Sequence, residues 1–129
     1  MRESGLWHPR LCQLVAGMGH TDTLVIADAG LPVPRGVETI DLVWLRGQPP
    51  LIPVLEALLG EFVVEQATIA DEAKDENFLT SLDLVMKDIP VVRTSHDEIK
   101  ERCRDAHAVV RTGEDTPYAN VILHAGVPF

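Results

Sequence analysis

At 129 residues the chain has room for one ordinary domain, 1–129, and the scaling of surface with size means that folding buries roughly two-thirds of what the unfolded chain exposes. Apolar residues make up 46% and charged residues 24%, a balance that excludes disordered, collagen-like and disulfide-scaffold chains. Asp and Glu number 20 against 11 Lys and Arg, and the resulting net charge of −9 repels a phosphate backbone, so nucleic acid is not an expected partner.

In chain order, Leu11, Leu14, Val15 and Met18 fall at i, i+3, i+4 and i+7 and predict a helix that begins at Pro9 and is stopped by Gly19. Thr23-Leu24-Val25-Ile26-Ala27 is a short apolar run with turn residues on both sides, the pattern of a buried strand with Asp28 at its carboxyl end. The breakers between Gly30 and Gly36 predict a loop, stiffened by Pro32 and Pro34, that leads to a second strand near Thr39 to Leu45. Apolar positions 51, 54, 55, 58 and 59 suit a helix with Pro50 and Pro53 in its first turn and Gly60 as its stop. A strand is expected around Phe62 to Ile69, and the charge run Asp71 to Glu76 reads as a solvated loop serving solubility alone.

Phe78, Leu79, Leu82, Val85 and Met86 mark the next amphipathic helix, and Val91-Val92 the centre of another strand. Ser95-His96-Asp97-Glu98 matches the Ser-x-x-Glu capping box, which places His96 in the first turn of a helix carrying Ile99, Cys103 and Ala106 on one face. Ala108-Val109-Val110 and Val121-Ile122-Leu123 are further strand candidates on either side of a turn, Gly113 to Pro117. Helices interleaved with strands predict an α/β fold: a single domain with a mixed β-sheet and helices on both faces.

The longest stretch without Asp, Glu, Lys or Arg, Thr116 to Phe129, is too short and too interrupted to span a bilayer, so no membrane segment is expected. The opening residues Met1 to Gly5 lack the pattern of a secretory signal, and a cytoplasmic location is the expectation. Cys12 and Cys103 have no metal-site spacing and are read as two buried free thiols.

Phosphate-loop, dinucleotide, hydrolase-elbow and zincin motifs are all missing, which leaves a small polar set as the candidate chemistry. Strand carboxyl ends gather ligands in open α/β sheets, and Asp28 and Ser95-His96 are expected there. His20 follows Gly19 at a helix-to-strand junction, where an imidazole suits proton transfer near neutral pH. Each also has a plain structural alternative: a surface or capping His20, an Asx-turn Asp28, a solvated His96. Converged, the three would imitate a two-histidine, one-carboxylate metal site, the weakest of these readings. Tyr118, the only tyrosine, offers with Ala119 and Asn120 a ring, a hydroxyl and backbone groups for a polar ligand. His8, His107 and His124 are given no catalytic role.

Four stretches carry a family resemblance: Gly19-His20-Thr21-Asp22-Thr23-Leu24, Asp28-Ala29-Gly30-Leu31-Pro32, Thr94-Ser95-His96, and Gly113 through Asn120 followed by Val121 to Val127. In this order they resemble the D-ribose pyranase family nearly end to end. The resemblance implies a cofactor-independent isomerase that interconverts the pyranose and furanose rings of D-ribose, with no metal and no organic cofactor. It implies His20 as proton donor and Asp28, His96, Tyr118, Ala119 and Asn120 as sugar-binding positions. It also implies a homodecamer of two stacked pentameric rings with sites near subunit boundaries. The related L-fucose mutarotases share the Gly-His and Asp landmarks but typically carry arginine at the position of His96 and glycine at that of Ala119. Two departures from the family pattern are Leu6-Trp7-His8 and a shorter Asp71 to Asp88 region.

Overall fold

The computed structural model describes residues 1–129. Helix α1 spans Pro9–Gly17, with proline at its first position and His8 as its cap, the ring Nδ1 accepting from the Leu11 N–H at 3.3 Å. Strand β1 follows at Thr23–Ala27, then β2 at Thr39–Asp41 and helix α2 at Leu51–Leu59. Next come β3 at Val64–Ala70, α3 at Glu76–Met86 and β4 at Val91–Thr94. Helix α4, His96–Arg102, is prolonged by one 3-10 turn at Cys103–Asp105 and leads to β5 at Ala108–Arg111 and β6 at Val121–Ala125.

The six strands form one mixed sheet in the order β2-β5-β1-β6-β3-β4. Strands β1, β2, β3, β4 and β5 run parallel, and β6 alone is antiparallel, pairing with β1 on one side and β3 on the other. Burial on both faces is why β1 reads as a continuous apolar run: Leu24 and Ile26 point to one layer, Val25 and Ala27 to the other. The larger layer is built by α1, α2 and α3, whose Leu11, Leu14, Leu51, Leu55, Leu58, Phe78, Leu82 and Met86 join a 20-residue core. The smaller layer is α4 with the Leu31 to Val37 loop, where Ile99 and Cys103 are fully buried against Val25, Val109 and Ile122. Burying a side chain such as Leu55 or Ile99 contributes roughly 1.5–3 kcal/mol, so these two layers, rather than helix propensity, hold the short helices in place.

Three expectations are corrected. The second strand ends at Asp41, because its one partner, β5, is only four residues long and the ladder runs out at Arg111. The charge run does more than solvate: Asp75 caps α3, accepting from the Phe78 N–H at 2.9 Å, and Glu72 reaches α4. Cys12 is only partly buried, its thiol donating to the Leu6 carbonyl, while Cys103 is fully buried in the opposite layer, with its thiol pKa pushed up by that burial.

Candidate functional site

Parallel strands place their carboxyl ends on one edge of the sheet, and there the chain assembles a pocket. Strand β1 delivers Asp28, whose Oδ1 accepts from the Gly30 N–H at 2.9 Å in an Asx turn. Asn120, at the entrance to β6 and fully buried, holds the same residue from behind: its Oδ1 accepts from the Asp28 N–H at 2.8 Å and its Nδ2 donates to Asp28 Oδ2 at 3.2 Å. Its amide therefore fixes the carboxylate that faces the pocket.

Strand β4 delivers His96. Ser95 caps α4, accepting from the Glu98 N–H at 3.1 Å, and the His96 N–H lies 3.1 Å from both carboxylate oxygens of Glu72. The His96 ring stands edge-on to Tyr118, with centroids 4.9 Å apart and planes at 78°. Its Nδ1 is buried without a hydrogen-bond partner. Tyr118 sits at φ 61, an outlier for an aromatic residue, and its carbonyl accepts from the Asn120 N–H at 3.0 Å. Ala119 turns its methyl into the core, and its N–H donates to the Thr116 carbonyl at 3.3 Å.

These residues enclose a polar pocket of about 290 Å³ lined by Asp28, Gly30, Leu31, Pro32, His96, Pro117 and Tyr118. That is the small end of the range for small-molecule sites. A wider groove of about 590 Å³ lies beside it, between Pro32 to Arg35 and the exposed face of α4, and carries none of the expected site residues. The smaller pocket gathers three of the expected site residues, Asp28, His96 and Tyr118.

Sequence reasoning missed Glu114. Its Oε1 accepts from the Leu51 N–H at 2.9 Å at the start of α2, its Oε2 from the Thr116 hydroxyl at 2.8 Å, and its carbonyl from the Ala29 N–H at 2.9 Å. One residue thus joins the Asp28 loop, the Tyr118 loop and a helix end. Gly113 beside it allows this, since a Cβ there would collide with the backbone of Gln48. Glutamate within a turn carries no signature that reveals such a role.

His20 is elsewhere. It precedes β1, whereas Asp28 follows it, and the five residues of the strand separate the two by about 16 Å. At that opposite edge His20 Nε2 lies 3.1 Å from Glu65 Oε2, and the neighbouring Asp22 accepts from the Gly19 N–H at 2.8 Å and lies 3.5 Å from His107 Nδ1. The three-ligand metal arrangement therefore does not form within one chain. His124 faces the α4 layer, its Nε2 3.0 Å from the Thr68 hydroxyl. Burial, helped by the nearby Arg102, lowers its pKa below the ordinary histidine range, and Glu65 opposes that shift.

The family model described as "RbsD / FucU transport protein family" matches residues 1–128. A D-ribose pyranase of Geobacillus thermodenitrificans is 46% identical over 131 aligned positions, covering 100% of this chain and 99% of that protein. The structure of Bacillus subtilis RbsD complexed with D-ribose superposes with a TM-score of 0.95 at 43% identity, covering 100% of both chains. The fucose mutarotase of Streptococcus pneumoniae, solved in complex with L-fucose, shares the fold at a TM-score of 0.81 and 22% identity, covering 95% of this chain and 94% of that one.

Proposed function

The chain belongs to the RbsD / FucU transport protein family, and from that premise we propose that it is a D-ribose pyranase, an isomerase that interconverts the pyranose and furanose rings of D-ribose. The observation that carries this reading is the convergence of Asp28, His96 and Tyr118 on one small polar pocket, in a chain alike from end to end to a D-ribose pyranase.

Ring exchange opens the hemiacetal: the anomeric hydroxyl loses a proton, the ring oxygen gains one, and the bond between that oxygen and the anomeric carbon breaks to leave an aldehyde. A different hydroxyl then attacks the aldehyde and the proton movements reverse. Only protons are transferred, so an acid, a base and a surface that orients the sugar suffice. His20 protonates the ring oxygen. Asp28 accepts hydrogen bonds from sugar hydroxyls, held by Asn120 in the one orientation that leaves its outer face free. His96 and Tyr118 form a perpendicular aromatic corner against the ring, and the backbone through Ala119 and Asn120 fixes its height.

His20 of one copy serves the pocket of another. A single chain holds its own His20 one strand length from its own Asp28, and a ring of copies bringing one sheet edge against the next removes that separation. The homodecamer of two pentameric rings is the assembly we assign, with the whole of 1–129 acting as one pyranase-like domain in the cytoplasm, in ribose catabolism. No helix is long and apolar enough to cross a membrane.

Saturation-transfer NMR on D-ribose with catalytic amounts of protein tests the reading. Wild type accelerates pyranose-to-furanose exchange, His20→Ala loses on the order of a hundredfold or more of that acceleration, and a parallel L-fucose sample is unaffected. Accelerated fucose exchange alone would transfer the protein to the mutarotase branch. Ribose binding without exchange would make it a sugar-binding protein.

A further inference from the structure

Strand β3 does not run straight at its start. Val64 pairs with Ala125 and Gln66 with His124, so two steps along β3 match one along β6, and Glu65 is the extra residue of a β-bulge. Bulges re-aim a side chain next to functional sites. Here the carboxylate re-aimed is the one that lies 3.1 Å from His20 Nε2.

The strand opposite is adapted to it. A Cβ at Gly126 would lie 3.1 Å from Glu65 Cβ and 3.2 Å from Val63 Cγ1, so glycine leaves room for the start of β3 at the bulge. On the other side Thr21, β-branched, sits at φ 72, where such a residue is rarely found, and its N–H donates to the Ala125 carbonyl at 2.9 Å. A bulge, a glycine and a strained threonine all bear on the two residues of one exposed pair, with 53% of the His20 side chain and 47% of the Glu65 side chain accessible. A pair so exposed adds little to the stability of a single chain, so stability does not account for the arrangement. Strain gathered around two side chains is the mark of a site.

We propose that Glu65 is the positioning residue of the proton donor: it accepts from His20 Nε2 and thereby leaves Nδ1 as the atom that exchanges a proton with the sugar ring oxygen. An ionised carboxylate only accepts hydrogen bonds, so Nε2 must carry its hydrogen in this pair. The proton delivered leaves Nδ1 for the ring oxygen and returns to Nδ1 on reclosure, while the Nε2–H bond to Glu65 persists throughout. Glu65 touches no substrate and acts through His20.

The inference rests on His20 being the proton donor, and the experiment separates the two. Ribose exchange is measured by saturation-transfer NMR for wild type, Glu65→Ala, Glu65→Gln, His20→Ala and the double variant, with assembly size checked for each. Glu65→Ala lowers kcat on the order of tenfold to a hundredfold with KM for ribose unchanged. Glu65→Gln keeps part of the activity, because its amide oxygen still accepts from Nε2–H. In the His20→Ala background Glu65→Ala has no further effect, since its partner is gone. Wild-type kcat in Glu65→Ala, an effect on KM alone, or an equal loss with and without His20 would overturn the positioning role while leaving His20 as donor. Wild-type exchange in His20→Ala would overturn both.

Discussion

The two ends of the sheet are built in contrasting ways. At the carboxyl edge Asn120 is fully buried, Asp28 is bonded to it twice, and Glu114 ties three segments together. At the amino edge His20, Glu65, Asp22 and His107 stand about half exposed in pairs that face solvent. At the buried end the hydrogen bonds of Asn120 and Glu114 hold the Asp28 loop in place, while His96 Nδ1 is left without a partner from the protein. In the proposed mechanism the exposed end supplies the acid, and another copy completes its surroundings. On that proposal binding and proton delivery lie at opposite ends of one chain and are joined where chains meet.

The strongest way to break that division is to separate the two ends onto different chains. His20→Ala and Asp28→Ala each reduce ribose exchange to near background, but producing them together yields mixed assemblies in which about a quarter of sites receive both intact residues. Recovery to about that fraction is the expected NMR result, and none would mean that each chain uses its own His20. The buried end is tested by Asn120→Ala, which strands the Asp28 N–H and frees its carboxylate. Urea denaturation is expected to show a loss of about 1–3 kcal/mol together with weaker ribose binding. Glu65→Ala at the exposed end should fall within about 0.5 kcal/mol of wild type in the same assay.

The smallest expected effect concerns His124, at the amino edge of the sheet opposite Thr23 and Gln66. Its folded pKa lies below the ordinary histidine value because of burial, so the unfolded chain takes up the proton first as pH falls. The stability tied to neutral His124 is present in full above the ordinary histidine range and is lost as pH drops through that range toward the lowered folded value. Urea midpoints from pH 7.5 down to pH 5 are expected to decline less steeply in His124→Gln than in wild type, and identical slopes would remove His124 from the account.

Local signals served well where the element they described was local. Thr23–Ala27 and Leu51–Leu59 fold over the residues their patterns predict, because an apolar run between turn residues and a proline-started helix need no information from afar. The strand expected through Leu45 stops at Asp41 because its length is set by β5, some 70 residues onward. Glu72, read as part of a solvated run, holds the backbone of His96. Glu65 drew no attention at all, for a bulge is a mismatch between two strands and neither strand records it alone.

The sequence by itself determined the α/β order, the capping of α4 and the residue types on which the chemistry rests, since hydrophobic period, breakers and caps act over a few residues. It also carried the family likeness, in stretches that keep their order along the chain. The tertiary structure alone decided which of those residues share a site. Topology put Asp28, Ser95-His96 and Asn120 on one edge of the sheet and His20 on the other. A strand has a direction and a length, and those placed eight residues of sequence at opposite ends of the molecule while drawing Asp28 and Asn120, 92 positions apart, into hydrogen-bond contact.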